Sequence, residues 1–110
     1  MAVSGVNYVQ GLDSGEYDFT HVVSTVIASG PTTIYSCPTG RRLRLRWIYA
    51  QNDPGSTATP LIKVFLGAEE KFRMYALSKR QFVTGPVNGD LIIDLSEAAS
   101  VAVTALLEVV

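Results

Sequence analysis

GRRLRLRWIYAQNDPG, residues 40–55, places four arginines within six positions and then turns apolar until Asn52-Asp53-Pro54-Gly55 ends the run. Strand and helix distribute these residues differently. With a period of two, Arg42, Arg44 and Arg46 share one face, and Leu43, Leu45, Trp47 and Tyr49 share the other. At 3.6 residues per turn the same arginines would be smeared around a helix. The stretch therefore predicts a strand with an apolar side for a core and a row of guanidinium groups outside. Such a row has three readings: a solvated sheet face, a set of ion pairs between subunits, or a contact for nucleic acid.

On either side the chain reads as further strands. VVSTVIA (22–28) is rich in β-branched residues and stops at Ser29-Gly30-Pro31. TTIYS (32–36) precedes Pro38-Thr39-Gly40, and LIKVFL (61–66) is apolar on both sides except at Lys63, as a central strand would be. KFRMYAL (71–77) sets Phe72, Met74 and Ala76 against Arg73, Tyr75 and Leu77. QFVTG (81–85) is a short candidate, and Asn88-Gly89-Asp90 carries the strongest hairpin-type turn signal. LIIDL (91–95) follows, then SEAAS (96–100) as a loop. VAVTALLEVV (101–110) closes the chain, with Val101, Val103, Ala105, Leu107 and Val109 on one face and Leu106, Glu108 and Val110 on the other. Seven or eight strands at intervals of about ten residues, without a helix, predict an all-β fold: an antiparallel β-sandwich or jelly roll over 21–110.

Residues 1–20 differ. Gly5, Gly11 and Gly15 interrupt a polar stretch in which Tyr8, Tyr17 and Phe19 recur without a period, and the expectation is an extended N-terminal arm. The opening residues lack a basic segment followed by a continuous apolar run, so no signal peptide is expected. No apolar run reaches the ~18 residues of a membrane span.

The chain has 110 residues and a formal charge of −1, one domain with no global attraction for nucleic acid or anionic lipid. Its charge is nonetheless segregated. Residues 1–40 carry −3, residues 41–80 hold all nine basic side chains for +6, and residues 81–110 carry −4. Such a molecule can meet copies of itself, the arginines of one facing Asp90, Asp94 and Glu97 of another.

Catalytic reagents are scarce. His21 is the only histidine and Cys37 the only cysteine, too few for a metal site built on those ligands. No serine stands in a nucleophile-elbow context. Glu69 and Glu70 fall at a turn, and adjacent strand residues point to opposite faces, which does not suit paired carboxylates. No catalytic residue, metal or cofactor is expected.

Two motifs carry a resemblance. Thr32 to Arg44 fits T-x-I-Y-x-x-P-x-G-R/K-x-L/I-R, and Leu95 to Thr104 fits L-S-x-A-x-x-V-x-V-T. Over residues 30–110 the chain resembles the small jelly-roll virion proteins of tailed bacteriophages. The resemblance implies a non-enzymatic structural protein, made in the host cytoplasm and carried in the virion. Its expected role is a capsid decoration, or cement, protein: a homotrimer clamping neighbouring copies of the major capsid protein. A neck, tail or baseplate module is the near alternative. The residues expected at subunit or capsid contacts are Arg42, Arg44 and Arg46 for polar contacts, Leu106 and Val110 for apolar cover, and Tyr8, Tyr17 and Phe19 for docking of the arm. A carbohydrate-binding module is the competing class, and it would need Trp47, Tyr49, Asn52 and Asp53 turned toward solvent.

Overall fold

A computed structural model describes residues 18–55, 57–75, 77–79 and 81–110, the side chains of Asp18 and of residues 77–79 excepted. Nine strands run through them: β1 (Asp18–Val26), β2 (Gly30–Tyr35), β3 (Leu43–Asn52), β4 (Ile62–Leu66), β5 (Glu69–Met74), β6 (Leu77–Lys79), β7 (Val83–Thr84), β8 (Leu91–Leu95) and β9 (Val101–Val109). They form two antiparallel sheets. Sheet A has the order β1-β9-β3-β6, with β7 also on β3, and sheet B has the order β2-β8-β4-β5. The result is a β-sandwich, as the strand spacing predicts.

Period-two alternation builds the core. Val101, Val103, Ala105, Leu107 and Val109 of β9 are buried, as are Leu43, Leu45, Ile48 and Ala50 of β3 and Val22 and Val26 of β1. Sheet B meets them with Ile62, Val64 and Leu66 of β4, Leu91, Ile93 and Leu95 of β8, and Phe72 of β5. β4, expected to be central, lies between β8 and β5, and β9 lies between β1 and β3.

Loops tie one end of the sandwich together. The Asn88 carboxamide oxygen accepts the Gly40 N–H at 2.6 Å, and the Asp90 carboxylate accepts the Cys37 N–H at 2.7 Å. The Arg41 guanidinium donates to the carbonyls of Val109 and Val110 at 3.2 and 3.3 Å. Arg42 and Val110 exchange two backbone hydrogen bonds of 2.9 Å, which carries the β3–β9 ladder past the end of β9.

Three expectations need correction. First, residues 71–77 are not one strand: β5 ends at Met74 in sheet B, and Leu77 opens β6 in sheet A. Second, Asn88-Gly89-Asp90 does turn the chain, with Asn88 at φ 64°, but it links β7 of sheet A to β8 of sheet B and makes no hairpin. Third, the alternation of β3 fails at Arg46. Leu45 pairs with Leu107 and Trp47 with Leu106, so Arg46 is an extra residue on β3, a β-bulge. Beyond it the faces exchange: Ile48 and Ala50 are fully buried, and Trp47 and Tyr49 turn outward.

Candidate functional site: the outer face of sheet A

The bulge brings together what strict alternation would have kept apart. The register across β1, β9 and β3 defines rows on the outer face of sheet A. Phe19, Glu108 and Arg44 form one row, His21, Leu106 and Trp47 the next, and Val23, Thr104 and Tyr49 the third. Arg46 joins the first row from its bulge.

That first row is organised around a carboxylate. Glu108 has a side chain only 7% exposed, and its Oε1 lies 3.3 Å from Arg46 Nη1 and 3.6 Å from Arg44 Nη1. One acid thus serves two bases, which is how a buried carboxylate remains tolerable on a sheet face. Arg44 also donates from Nε to the Thr84 hydroxyl at 3.2 Å. The Arg46 guanidinium lies between two rings, its carbon 4.1 Å from the centroid of Phe82 and 5.3 Å from that of Phe19. Contacts of this kind contribute about 0.5–2 kcal/mol each, according to how far water is excluded.

The other rows carry a second aromatic group. His21 meets Trp47 edge-on with centroids 5.6 Å apart, and Trp47 meets Tyr49 at 5.2 Å and 46°. Leu106 sits between His21 and Trp47 in register and is half-buried. Three large apolar side chains of this face remain open to solvent: Phe19 at 48%, Phe82 at 61% and Val23 at 72%. A soluble sheet face would ordinarily be more polar.

Of the residues expected to make contacts, Arg44, Arg46, Leu106 and Phe19 therefore converge on one surface. Phe19 belongs to β1 and not to a preceding arm. Arg42 and Val110 stand opposite one another at the end of the β3–β9 ladder, both exposed. Tyr8 and Tyr17 lie outside the described residues. Within the chain, Arg44 and Arg46 share Glu108 as their acidic partner.

Sequence reasoning missed Phe82, Glu108 and the outward Trp47. Phe82 and Glu108 carried only weak signals, a short apolar strand and one acid in an apolar run. Trp47 was misassigned because a bulge leaves no mark in composition.

Residues considered for other chemistry have structural duties. The Asn52 amide donates to the Ala58 carbonyl, and the Asp53 carboxylate accepts the Gly55 N–H at 2.9 Å, so both hold their own loop. Burial pushes the Cys37 thiol above its ordinary range, and its Sγ is 3.2 Å from the Arg41 carbonyl. Glu70 forms a two-pronged ion pair with Arg73 at 2.8 and 2.9 Å, which holds its carboxyl below the usual range. Among the described residues no group of three His, Cys, Asp or Glu side chains is placed to hold a metal ion. No protein-family model, curated protein or solved structure matches this chain.

Proposed function

We propose that this chain is a non-enzymatic structural protein of a tailed-phage virion, a capsid decoration protein that contacts its neighbours through the outer face of sheet A. One observation carries the reading: Phe19, His21, Trp47 and Phe82 share that face with Arg44 and Arg46, and much of it is uncovered. Aromatic residues and arginine are the types most enriched where proteins meet, and they supply most of the energy there. The fold is in keeping with the role. Strand order β1-β9-β3-β6 opposite β2-β8-β4-β5 winds most successive strands from one sheet to the other, which supports the jelly-roll description. Repetition over a symmetric shell would make weak contacts strong in sum.

Nucleic acid fits the face less well, although aromatics and arginines do share it. Glu108 neutralises one of the two guanidinium charges, and the whole chain is at −1.

The test is binding of the purified chain to capsid shells that lack it, beside its light-scattering mass at low and high salt. A stable oligomer, a trimer or a larger assembly built on the trimer that the resemblance implies, together with saturable shell binding is the expected result. The double variant Arg46→Ala, Phe82→Ala should weaken shell binding by at least about tenfold. Unchanged binding by a folded double variant would remove this face from the proposal.

A second reading has one observation in its favour. Trp47 and Tyr49 do turn outward, the condition that a carbohydrate-binding module requires. Against it, Asn52 and Asp53 are committed to their own loop. Quenching of Trp47 fluorescence by a panel of oligosaccharides would separate the two readings.

A further inference from the structure

We infer that the outer edge of β1 is a pairing edge, where two copies of this chain join antiparallel about a two-fold axis and continue sheet A from one subunit into the next. The inference rests on the edge alone and does not depend on what the face of sheet A binds.

The argument comes from comparing the edges that the two sheets expose. A strand edge offers unpaired N–H and C=O groups, and proteins that stay apart blunt it with short strands, bulges, prolines or charges. Three of the four edges here are blunted in that way. β2 carries Pro31 and an irregularity between Thr33 and Tyr35. β5 is broken between Phe72 and Glu70 and bears Glu69, Glu70, Lys71 and Arg73. β6 and β7, which share the far edge of sheet A, have three and two residues.

β1 has none of these devices. It ends sheet A among the described residues and runs for nine residues in unbroken register with β9, from Asp18 to Val26. Its sequence, DFTHVVSTV, contains no proline, glycine, lysine or arginine, and its one carboxylate stands at the very start. Beside the edge, Val23 is 72% exposed.

The strand is also complementary to itself. In a continuous sheet the paired residues must point to the same face, so the two-fold axis must pass through a residue and not between two. The register centred on Val22 pairs the full length of β1. It sets His21 opposite Val23 of the second copy, brings no two like charges together, and leaves each Asp18 at an end. The outer rows of both copies then merge, and the exposed Val23 gains cover. A contact of this kind is isologous and closes on itself. By itself it gives a dimer, and added to a trimer contact it gives a hexamer.

The register supplies the test. Opposed residues of antiparallel strands have Cα atoms about 4.5–5.5 Å apart, within the range a disulfide spans. In a full-length Cys37→Ser background, Val22→Cys should form a covalent dimer under copper-catalysed air oxidation. Ala68→Cys, in an exposed turn of sheet B, should not. The double variant Val23→Lys, Thr25→Lys changes two exposed positions, so it leaves the core intact while charging the edge. Its light-scattering mass should be half that of the native chain at the same concentration. The proposal is overturned if a folded Val22→Cys protein, verified by circular dichroism, cross-links no faster than Ala68→Cys. It is equally overturned if the native chain is monomeric or an odd-numbered oligomer whose mass the lysines leave unchanged. The edge would then be covered by residues 1–17 or by a strand of another protein.

Discussion

Arg46 and Glu108 meet at 3.3 Å on the outer face of sheet A, and Arg46 reaches the carboxylate as the extra residue of a bulge in β3. In regular pairing Arg44 stands directly opposite Glu108, and an arginine two positions on would face a different residue of β9. The bulge turns Arg46 back toward the same carboxylate and lifts its guanidinium between Phe19 and Phe82. The same irregularity reverses the faces for the rest of β3. A single extra residue thus puts Trp47 on the face that carries the charged cluster.

Glu108 should be the most sensitive polar residue of this face. Glu108→Ala removes the shared partner and leaves two guanidinium groups close together, one of them with a buried Nε. The expected loss is about 2 kcal/mol, typical of a partly buried charged pair broken on one side. Arg44→Ala should cost less than about 1 kcal/mol, because Arg44 is 40% exposed and Arg46 still neutralises the acid. Urea denaturation of the two variants and the native chain measures the ordering, and equal losses would remove Glu108 from the centre of the cluster.

Trp47 and Ile48 offer a direct check on the bulge. Ile48 is fully buried, so Ile48→Ala should destabilise by about 3 kcal/mol through lost burial and a residual cavity. Trp47→Ala should cost about 1 kcal/mol, since the ring rests on the sheet surface against His21 and Tyr49. Strict alternation would predict the reverse order. Thermal melts decide between them, with Ile48→Ala expected to show much the larger fall in Tm.

These two residues also mark how far the sequence was legible. Alternation grouped the residues of β9 that the structure buries, because the strand runs without interruption and its apolar residues fall two apart. It failed on β3 after Leu45. Trp47 and Tyr49 are large aromatic side chains that can fill a core or lie on a surface, so residue type does not announce that the phase has slipped. It failed again at Tyr75, where KFRMYAL keeps its period while the chain leaves sheet B for sheet A. Periodicity reports the face on which a residue lies only while the register holds. The candidate site depends on a break in register, so its residues were visible one by one and their meeting was not. The burial of Glu108 left no local signal, because the two guanidinium groups that cover it come from a strand more than 60 residues earlier.

Gly67 and Gly85 should tolerate no side chain. Gly67 has φ +63°, and a Cβ there would stand 2.8 Å from Pro86 Cγ. At Gly85 an added Cβ would lie 2.5 Å from Leu66 Cβ, an atom fixed to the backbone of a central strand. Gly67→Ala combines backbone strain with a clash, and Gly85→Ala forces β4 and the β7–β8 connection apart. Each should lose about 2 kcal/mol or more, against a change within about 0.5 kcal/mol for Ala68→Ser in the neighbouring exposed turn. The comparison is made by chemical denaturation, and an unchanged midpoint for Gly85→Ala would contradict the close packing at that corner.

Cys37 should react slowly at neutral pH. Burial raises its pKa, an effect that Asp90 strengthens and that the Asn88 N–H and Arg41 only partly oppose. The thiolate is the nucleophile, so a raised pKa means that less of it is present at pH 7–8 than in the unfolded chain. The sign is therefore fixed: iodoacetamide should label the native protein more slowly than the urea-unfolded protein, and the native rate should keep climbing with pH after the unfolded rate has levelled. Asp90→Asn should lower the native pKa and speed labelling, provided that the Asn side chain still accepts the Cys37 N–H. Mass spectrometry of timed samples across pH 7–10 gives both curves, and a native rate equal to the unfolded rate at pH 7.5 would show that the thiol is not shielded by the 36–42 loop.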